Sequence, residues 1–200
     1  MTSNRESARQ LVRDLVAGID VFDGTEEAAQ QVALAWIDSE APLFRVRPPK
    51  VPDPHLCVYA VLVDEHRRKV LLADHVKAGA WLSVGGHVDD GESPRAAVLR
   101  EAHEELQITP RFLPRSGAEP FFLTVTRTRG ADSHTDVSLW FLLSGEEGME
   151  LVRDPVEAHE LRWFTIDDPA EWVDAQRFDP GMPRFLSKLI THLAEPATIA

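Results

Sequence analysis

Three glutamates fall within five positions of one predicted helix, and they are the residues whose spacing has the clearest chemical meaning. Glu101, Glu104 and Glu105 stand at positions i, i+3 and i+4, which share one face of an α-helix. Carboxylates this close repel one another unless a cation lies among them. Hard oxygen ligands suit Mg²⁺, Mn²⁺ or Ca²⁺, and Mg²⁺ is usually held by a few carboxylates together with substrate phosphates. The spacing therefore predicts a divalent metal site and chemistry on phosphate.

The segment around these glutamates resembles the signature of the Nudix hydrolase family, the Nudix box G-x5-E-x7-R-E-U-x-E-E-x-G-U, where U is aliphatic. Two positions depart from it: Ala102 is small for the first U, and Gln107 replaces the glycine that usually ends the helix in a left-handed conformation. Gln107 either tolerates a strained backbone or lets the helix end differently. The matching residues are Gly86, Glu92, Arg100, Glu101, Glu104, Glu105 and Ile108.

The resemblance implies a metal-dependent enzyme that cleaves a diphosphate bond in a nucleoside diphosphate joined to another group (NDP-X). In that family, the carboxylates at Glu101, Glu104 and Glu105 supply most of the ligands for Mg²⁺ or Mn²⁺. A backbone carbonyl of the glycine turn, at Gly86, completes the set. The metal activates water for attack on phosphorus, and Glu101 is also a candidate base. The alternative for a bare Glu-x-x-Glu-Glu is an ordinary solvated helix face.

Further carboxylates and one arginine have roles that the resemblance also implies. The pair Arg100 and Glu92 orients the catalytic glutamate and the glycine turn in the family, although a surface ion pair without function is the alternative. Some members add a metal ligand or base from a later loop. Glu157 and Glu160 stand at that place, and Glu157 is preferred; a plain surface acid before a strand is the alternative.

Several residues outside the box are candidates for substrate contact. His134 and Asp136 alternate along a predicted strand and therefore face the same side. They either contact substrate or form a polar pair at the strand entrance. Trp81, just ahead of the glycine turn, is either a core residue or a platform for a base. His87 and His103 occupy variable positions of the box, and neither is assigned a metal.

Within the family, the range of possible substrates is narrowed only by subfamily motifs that this sequence lacks. The single tyrosine, Tyr59, precedes the box, whereas dinucleoside polyphosphate hydrolases carry one after it, and the Ser-Gln-Pro-Trp-Pro-Phe run of NADH pyrophosphatases does not follow it. A MutT-like hydrolase of nucleoside triphosphates or related small nucleotides remains, with an ADP-ribose or nucleotide-sugar pyrophosphatase as the alternative. A non-catalytic ligand-sensing module is a second class. An isopentenyl diphosphate isomerase relative is a third, for which Cys57 in a predicted core strand is a poor catalytic residue.

Composition restricts the partners. The formal charge of -12, from 33 acids against 21 bases, disfavours polymeric nucleic acid and anionic membranes as partners. The lone cysteine cannot form an internal disulfide, and the N-terminus has no apolar core of signal-peptide type. We therefore expect a cytoplasmic protein that acts on a small-molecule nucleotide or other diphosphate, with no membrane partner.

The order of apolar runs and turns predicts an α/β fold that resembles the Nudix α/β/α sandwich with a mixed sheet, preceded by an N-terminal helical hairpin. The hairpin carries apolar stripes that must be covered by the core or by a homodimer partner: Leu11, Val12 and Leu15, and Val32, Trp36 and Ile37. The expected organisation is a helical extension over 1–46, a proline-rich connector over 47–54 and a Nudix domain over 55–195. Helices are predicted at 5–18, 25–40, from Ser93 and at 182–193, and strands at 56–63, 69–73, 81–84, 121–127, 137–143 and 161–164.

Overall fold

The computed structural model describes residues 2–44, 52–128 and 133–196, with side chains of the first helix from residue 6 onward. Within these residues the chain forms four α-helices, seven β-strands and two short 3₁₀ helices at Pro169–Trp172 and Ala175–Arg177. The α-helices are α1 Thr2–Ala17, α2 Gly24–Asp38, α3 Pro94–Leu106 and α4 Met182–Ala194. The strands are β1 His55–Asp64, β2 Lys69–His75, β3 Ala80–Leu82, β4 Val84–His87, β5 Phe122–Arg127, β6 Thr135–Ser144 and β7 Ala158–Thr165.

The seven strands belong to one sheet. The main order is β3-β2-β1-β6-β5, while β4 pairs with β1 and β7 pairs with β2. Strand β1 is buried along nearly its whole length, as its run of apolar residues requires. The predicted α/β fold class, a mixed sheet with helices and an N-terminal helical hairpin, is confirmed.

The chain forms two compact units. The first comprises Met1–Tyr59, Gly85–Glu101 and Ala118–Phe141, and the second comprises Ala60–Val84, Ala102–Gly117 and Leu142–Ala200. Strands β1 and β6 and helix α3 each contribute residues to both.

In the first unit, a buried hydrogen bond connects the N-terminal hairpin to strand β5. The Asp23 side chain accepts from the N–H groups of Thr25 and Glu26, which caps the start of α2. The Glu26 side chain is fully buried, and its Oε1 accepts from the Leu123 N–H of β5 at 3.1 Å. Val32, expected on the covered stripe, is instead 55% exposed, and its neighbour Ala33 is buried.

In the second unit, β2 pairs with β1, β3 and β7. A hairpin loop joins β1 to β2, with Asp64 paired to Lys69. Asp64 is buried, and its two carboxylate oxygens accept from the backbone N–H groups of Arg67 and Glu147 at 2.8 Å each. Helix α4 buries Phe185 and Leu189.

One sequence expectation needs correction, and another falls partly outside the described residues. The strand expected at 81–84 is two strands, β3 and β4, separated at Ser83, and the supposed glycine turn Gly85–Gly86 is extended backbone within β4. Of the predicted proline-rich connector, residues 47–51 lie outside the described residues. No helix in the part of the chain that the structure describes is long and apolar enough to cross a membrane.

Candidate active site

Strand β4 contains two glycines that have no room for a side chain, Gly85 and Gly86. A Cβ on Gly85 would lie 2.1 Å from the Val58 carbonyl oxygen of the neighbouring strand β1, and Gly85 has a φ of +154°. A Cβ on Gly86 would lie 2.7 to 2.9 Å from the carboxylate atoms of Glu101. Glycine at Gly86 therefore allows the Glu101 carboxylate to contact the backbone of β4.

Helix α3 begins and ends at sites that the sequence marked. The Ser93 hydroxyl accepts from the Ala96 N–H at 3.2 Å, and Pro94 is the first helical residue. At the other end, Gln107 adopts a left-handed φ of 53° and donates its N–H to the His103 carbonyl at 2.8 Å. Helix α3 thus ends in the left-handed conformation that glycine usually adopts, but with a residue that is strained in it.

Arg100 forms hydrogen bonds to three other residues of the site. Its Nε and Nη2 donate to the two Glu92 oxygens at 2.9 Å each, and its Nη1 donates to Glu101 Oε1 at 2.7 Å. Nη2 also donates to the His87 carbonyl at 3.1 Å. One guanidinium therefore joins the loop before α3, the helix itself and strand β4.

The charged forms of Arg100 and Glu92 stabilise each other. Burial raises the pKa of Glu92, but hydrogen bonds from Arg100 and from the Asp89 N–H outweigh it, so the pKa of Glu92 lies below its usual value. The pKa of Arg100 is raised, chiefly by its hydrogen bonds to Glu92, with Glu101 adding to the effect. Both groups are ionised at neutral pH.

The three glutamates of α3 differ in exposure. Glu101 is partly buried, Glu104 is exposed and Glu105 is 9% exposed. The opposite side of the helix is core, because Ala97, Val98, Ala102 and Leu106 are fully buried. The backbone carbonyl of Glu105 accepts from the Asp154 N–H at 3.1 Å, which fixes the end of the helix.

Glu157 has partners other than the residues of α3. Its carboxylate accepts from Lys77 Nζ at 3.2 and 3.3 Å, and its Oε2 lies 3.7 Å from His75 Nε2. Glu160 is exposed on β7. The structure therefore places Glu157 in an ion pair within the second unit.

His134 and Asp136 lie in a cluster that sequence reasoning found only in part. Asp136 Oδ1 is 3.3 Å from His134 Nε2 and 3.2 Å from Nε2 of His55, a residue that the sequence had not marked. The His87 ring lies 4.7 Å from that of His55, between centroids. The alternation of His134 and Asp136 was the available signal; the two other histidines come from distant strands.

Trp81 lies in the second unit. Its side chain is 4% exposed, and its ring packs edge-on against Phe164 at 5.0 Å between centroids. Both line a groove of about 250 Å³, to which Arg162, Glu171 and Phe178 also contribute. Trp81 is thus a packed aromatic residue with one side on a groove.

Comparison with known proteins gives one family. The model of the NUDIX domain matches residues 53–189. The chain is 27% identical over 121 residues to an NAD-capped RNA hydrolase NudC of Haemophilus influenzae, over 58% of this chain and 42% of that protein. It is 32% identical over 124 residues to a CMP-5'-(N-acetyl-N-hydroxy-3-aminopropyl)phosphonate hydrolase of Streptomyces rubellomurinus, over 58% of this chain and 54% of that protein. The chain thus spans about half the length of the curated relatives it matches.

A solved structure shares the fold. The NUDIX domain of Shewanella oneidensis NrtR, determined with ADP ribose, superposes with a TM-score of 0.55 at 18% sequence identity. The match covers 74% of this chain and 94% of that domain.

Proposed function

Because this chain belongs to the Nudix family, we propose that it is a metal-dependent hydrolase of a diphosphate bond in a nucleoside diphosphate joined to another group. The preferred substrate in this proposal is a nucleoside triphosphate or a related small nucleotide. The observation that carries the proposal is the position of Arg100, held between Glu92 and Glu101 on the helix that also carries Glu104 and Glu105.

The donor set of α3 fits a hard divalent cation, Mg²⁺ or Mn²⁺. Three carboxylates on one helix match the oxygen preference of these ions, and the contact between the Glu101 carboxylate and the Gly86 backbone adds a carbonyl to the same neighbourhood. Glu101, Glu104, Glu105 and the Gly86 carbonyl would hold the ion. When bound, it polarises a phosphoryl oxygen and offsets the negative charge that would otherwise repel a polyphosphate.

The protein groups around this cation have separate roles in the proposal. Arg100 is a positioning residue, because its hydrogen bond to Glu101 Oε1 fixes the rotamer of that carboxylate. The second oxygen, Oε2, then has a defined direction from which to accept a proton from the attacking water. Glu92 in turn fixes Arg100 through two hydrogen bonds. The position of Glu101 therefore depends on Arg100, and the position of Arg100 depends on Glu92.

Two other carboxylates and one aromatic residue keep supporting roles in the proposal. Glu157 is the preferred extra ligand or base, and it can act only after leaving its ion pair with Lys77; Glu160 is the alternative. Trp81 offers the side of its ring that lines the groove. His134 and Asp136 remain candidates for substrate contact in the proposal, and Asp136 Oδ1 also lies 3.2 Å from His55 Nε2.

The curated relatives support the reaction class. Both names describe hydrolases of nucleotide-containing compounds, one an NAD-capped RNA and the other a CMP-linked phosphonate. A CMP-linked compound is therefore a second candidate substrate, and ADP-ribose or a nucleotide sugar is a third. The formal charge of -12 weighs against a long RNA.

The test is a substrate panel assayed for released phosphate, pyrophosphate and nucleoside monophosphate, with Mg²⁺, with Mn²⁺ and with excess EDTA. It contains the nucleoside triphosphates, ADP-ribose, a nucleotide sugar, NAD, a CMP-linked phosphonate and a short NAD-capped RNA. Turnover that requires the metal and is fastest on a triphosphate supports the proposal. Saturable binding without turnover on any compound would identify a ligand-sensing module instead.

A further inference from the structure

We propose that the first unit holds a second metal site, built from His55, His87, His134 and Asp136 and suited to a divalent transition metal of the zinc class. Each of these side chains offers one ligand atom, and the four atoms lie within 4.8 Å of one another. We call this group the histidine cluster. It shares no side chain with the three glutamates of α3 and does not depend on the proposed hydrolase activity.

The hydrogen bonding of His55 decides which of its nitrogens can bind a metal. His55 Nδ1 lies 2.8 Å from the Pro52 carbonyl oxygen, which can only accept, so Nδ1 carries the proton and donates it. In the neutral ring, Nε2 then has a lone pair, and it lies 3.2 Å from Asp136 Oδ1. Two acceptors face each other in a buried position, which is unfavourable unless a cation lies near both.

An ordinary ion pair does not account for this contact. If His55 were doubly protonated, its Nε2–H would have to point at the carboxylate. Yet His55 Nε2 and Asp136 Oδ1 are both buried, and neither has a hydrogen-bond partner within the described part of the chain, despite their 3.2 Å separation. The side chain of His55 is fully buried. The two atoms are therefore close together without a hydrogen bond between them, as two ligands of one ion are.

The distances fit a tetrahedral ion. With ligand bonds of about 2.0–2.1 Å, neighbouring ligand atoms of a tetrahedral zinc site lie about 3.4 Å apart. Asp136 Oδ1 lies 3.2 Å from His55 Nε2 and 3.3 Å from His134 Nε2, so two edges of the tetrahedron are already formed. The widest separation, 4.8 Å, exceeds the ideal edge by about 1.4 Å. His87 and His134 are less buried than His55, so rotation of their side chains could bring their nitrogens closer.

The ligand chemistry selects the ion. Three imidazoles and one carboxylate suit zinc, iron, copper or nickel, whereas Mg²⁺ prefers oxygen ligands. The hydrogen bond from His55 Nδ1 to the Pro52 carbonyl is the kind of outer contact that fixes the tautomer and raises the basicity of a ligating histidine. The two sites should therefore bind different ions: Mg²⁺ at the glutamates of α3 and a transition metal at the histidine cluster.

Binding at this site would join three separate stretches of the chain. His55 begins β1, His87 ends β4, and His134 and Asp136 lie at the entrance to β6. Because the unfolded chain does not bring these residues together, an ion bound here stabilises the folded state through linkage. Zn²⁺ should therefore raise Tm in a way that Mg²⁺ cannot reproduce.

The test uses the full chain, freed of metal by a chelator and titrated with Co²⁺ as a spectroscopic probe in the presence of saturating Mg²⁺. Four-coordinate Co²⁺ with nitrogen and oxygen ligands absorbs visible light strongly, whereas six-coordinate Co²⁺ with oxygen ligands absorbs weakly. We expect one Co²⁺ per chain with the strong spectrum, displaced by Zn²⁺. In the double variant His134→Gln, Asp136→Asn the affinity should fall by at least ~10-fold, since even loss of an outer-shell partner typically costs that much.

Two controls separate this site from the active site. Glu105→Gln should leave the Co²⁺ spectrum unchanged, and so should His159→Gln, which alters an exposed histidine outside the cluster. A strong spectrum that is lost in Glu105→Gln, or retained in the double variant, would overturn the proposal, as would a weak spectrum in the wild type. If the double variant does not fold, X-ray absorption of the Zn²⁺-loaded wild type decides instead: imidazole scattering is expected, and a shell of oxygen alone refutes the site.

Discussion

The guanidinium of Arg100 donates from Nε and Nη2 to the two carboxylate oxygens of Glu92, at 2.9 Å each, across eight positions of the chain. The same guanidinium donates to Glu101 through its remaining nitrogen, Nη1. A planar fork with three nitrogens can serve both carboxylates together, and a lysine ammonium cannot reproduce that geometry. The position of the Glu101 carboxylate thus depends on a residue that need not touch substrate.

Replacing Arg100 by lysine should lower kcat by roughly 10- to 100-fold, because the Glu101 carboxylate loses its fixed orientation. KM should change less than kcat, since the substitution affects positioning of the reacting groups. Steady-state kinetics on the best substrate of the panel measure both. Arg95→Lys is the matched control, because Arg95 lies on the same helix and pairs with Glu119. Equal losses in the two variants would argue against a special role for Arg100.

The depressed pKa of Glu92 predicts how stability depends on pH. Between the folded pKa and the ordinary value of 4.5, the unfolded chain binds a proton that the folded chain does not, so stability rises with pH. The contribution of Glu92 is complete above pH 4.5 and is lost as the pH falls through the lower, folded pKa. Thermal melting from pH 6 to about 3 should show a shallower acid limb in Glu92→Gln than in wild type. Glu119→Gln, at a more exposed carboxylate, should retain the wild-type slope.

Substituting glycine for Gln107 should stabilise the protein. A left-handed φ of 53° costs a non-glycine residue about 1–2 kcal/mol, and the greater freedom of glycine in the unfolded chain offsets about half of that. We expect a gain of about 1 kcal/mol in the free energy of unfolding, or roughly 2–4 °C in Tm. Gln107→Ala keeps the strain and should show no gain. A lower Tm for the glycine variant would mean that the Gln107 side chain contributes more than the backbone strain costs.

Removing the Glu26 carboxylate should loosen the N-terminal helices from the rest of the first unit. In Glu26→Ala the buried N–H of Leu123 loses its acceptor, at about 1–3 kcal/mol, and the partly buried N–H of Phe22 loses one as well. The expected fall in Tm is roughly 4–12 °C. Glu27→Ala, at the exposed neighbouring position of the same helical turn, should change Tm by only a degree or two. Similar Tm values for both variants would show that the hairpin is held by its apolar side chains alone.

Local patterns in the sequence predicted most of the fold. The apolar run of β1 and the Ser93-Pro94 start of α3 are determined by residues close together in the chain, so periodicity and capping rules identify them. Strand β4 was missed because two glycines in succession usually mark a turn. Their conformation depends on the approach of β1, which leaves no space for a side chain at Gly85.

The candidate site was predictable to the extent that it lies on one helix. The glutamates of α3 share a face by helix geometry alone, and the offset of Glu92 from Arg100 follows the family signature. The histidine cluster was not predictable in the same way, since His55 and His87 reach Asp136 only after β1, β4 and β6 have paired. The alternation of His134 and Asp136 suggested a shared face but not what lies opposite it.

In the proposed function, the glutamates of α3 hold the metal that the reaction needs. The most direct measurement is the rate of nucleotide hydrolysis as a function of Mg²⁺ concentration, with Tm recorded with and without Mg²⁺, in wild type, Glu101→Gln, Glu105→Gln and the exposed control Glu119→Gln. We predict that wild type and the control gain both activity and Tm from Mg²⁺. The two box variants should lose at least ~10²-fold in kcat and gain less Tm, because each lacks a charge that holds the ion. Near-wild-type turnover in both variants, with a normal rise of Tm on adding Mg²⁺, would show that these glutamates do not hold the metal.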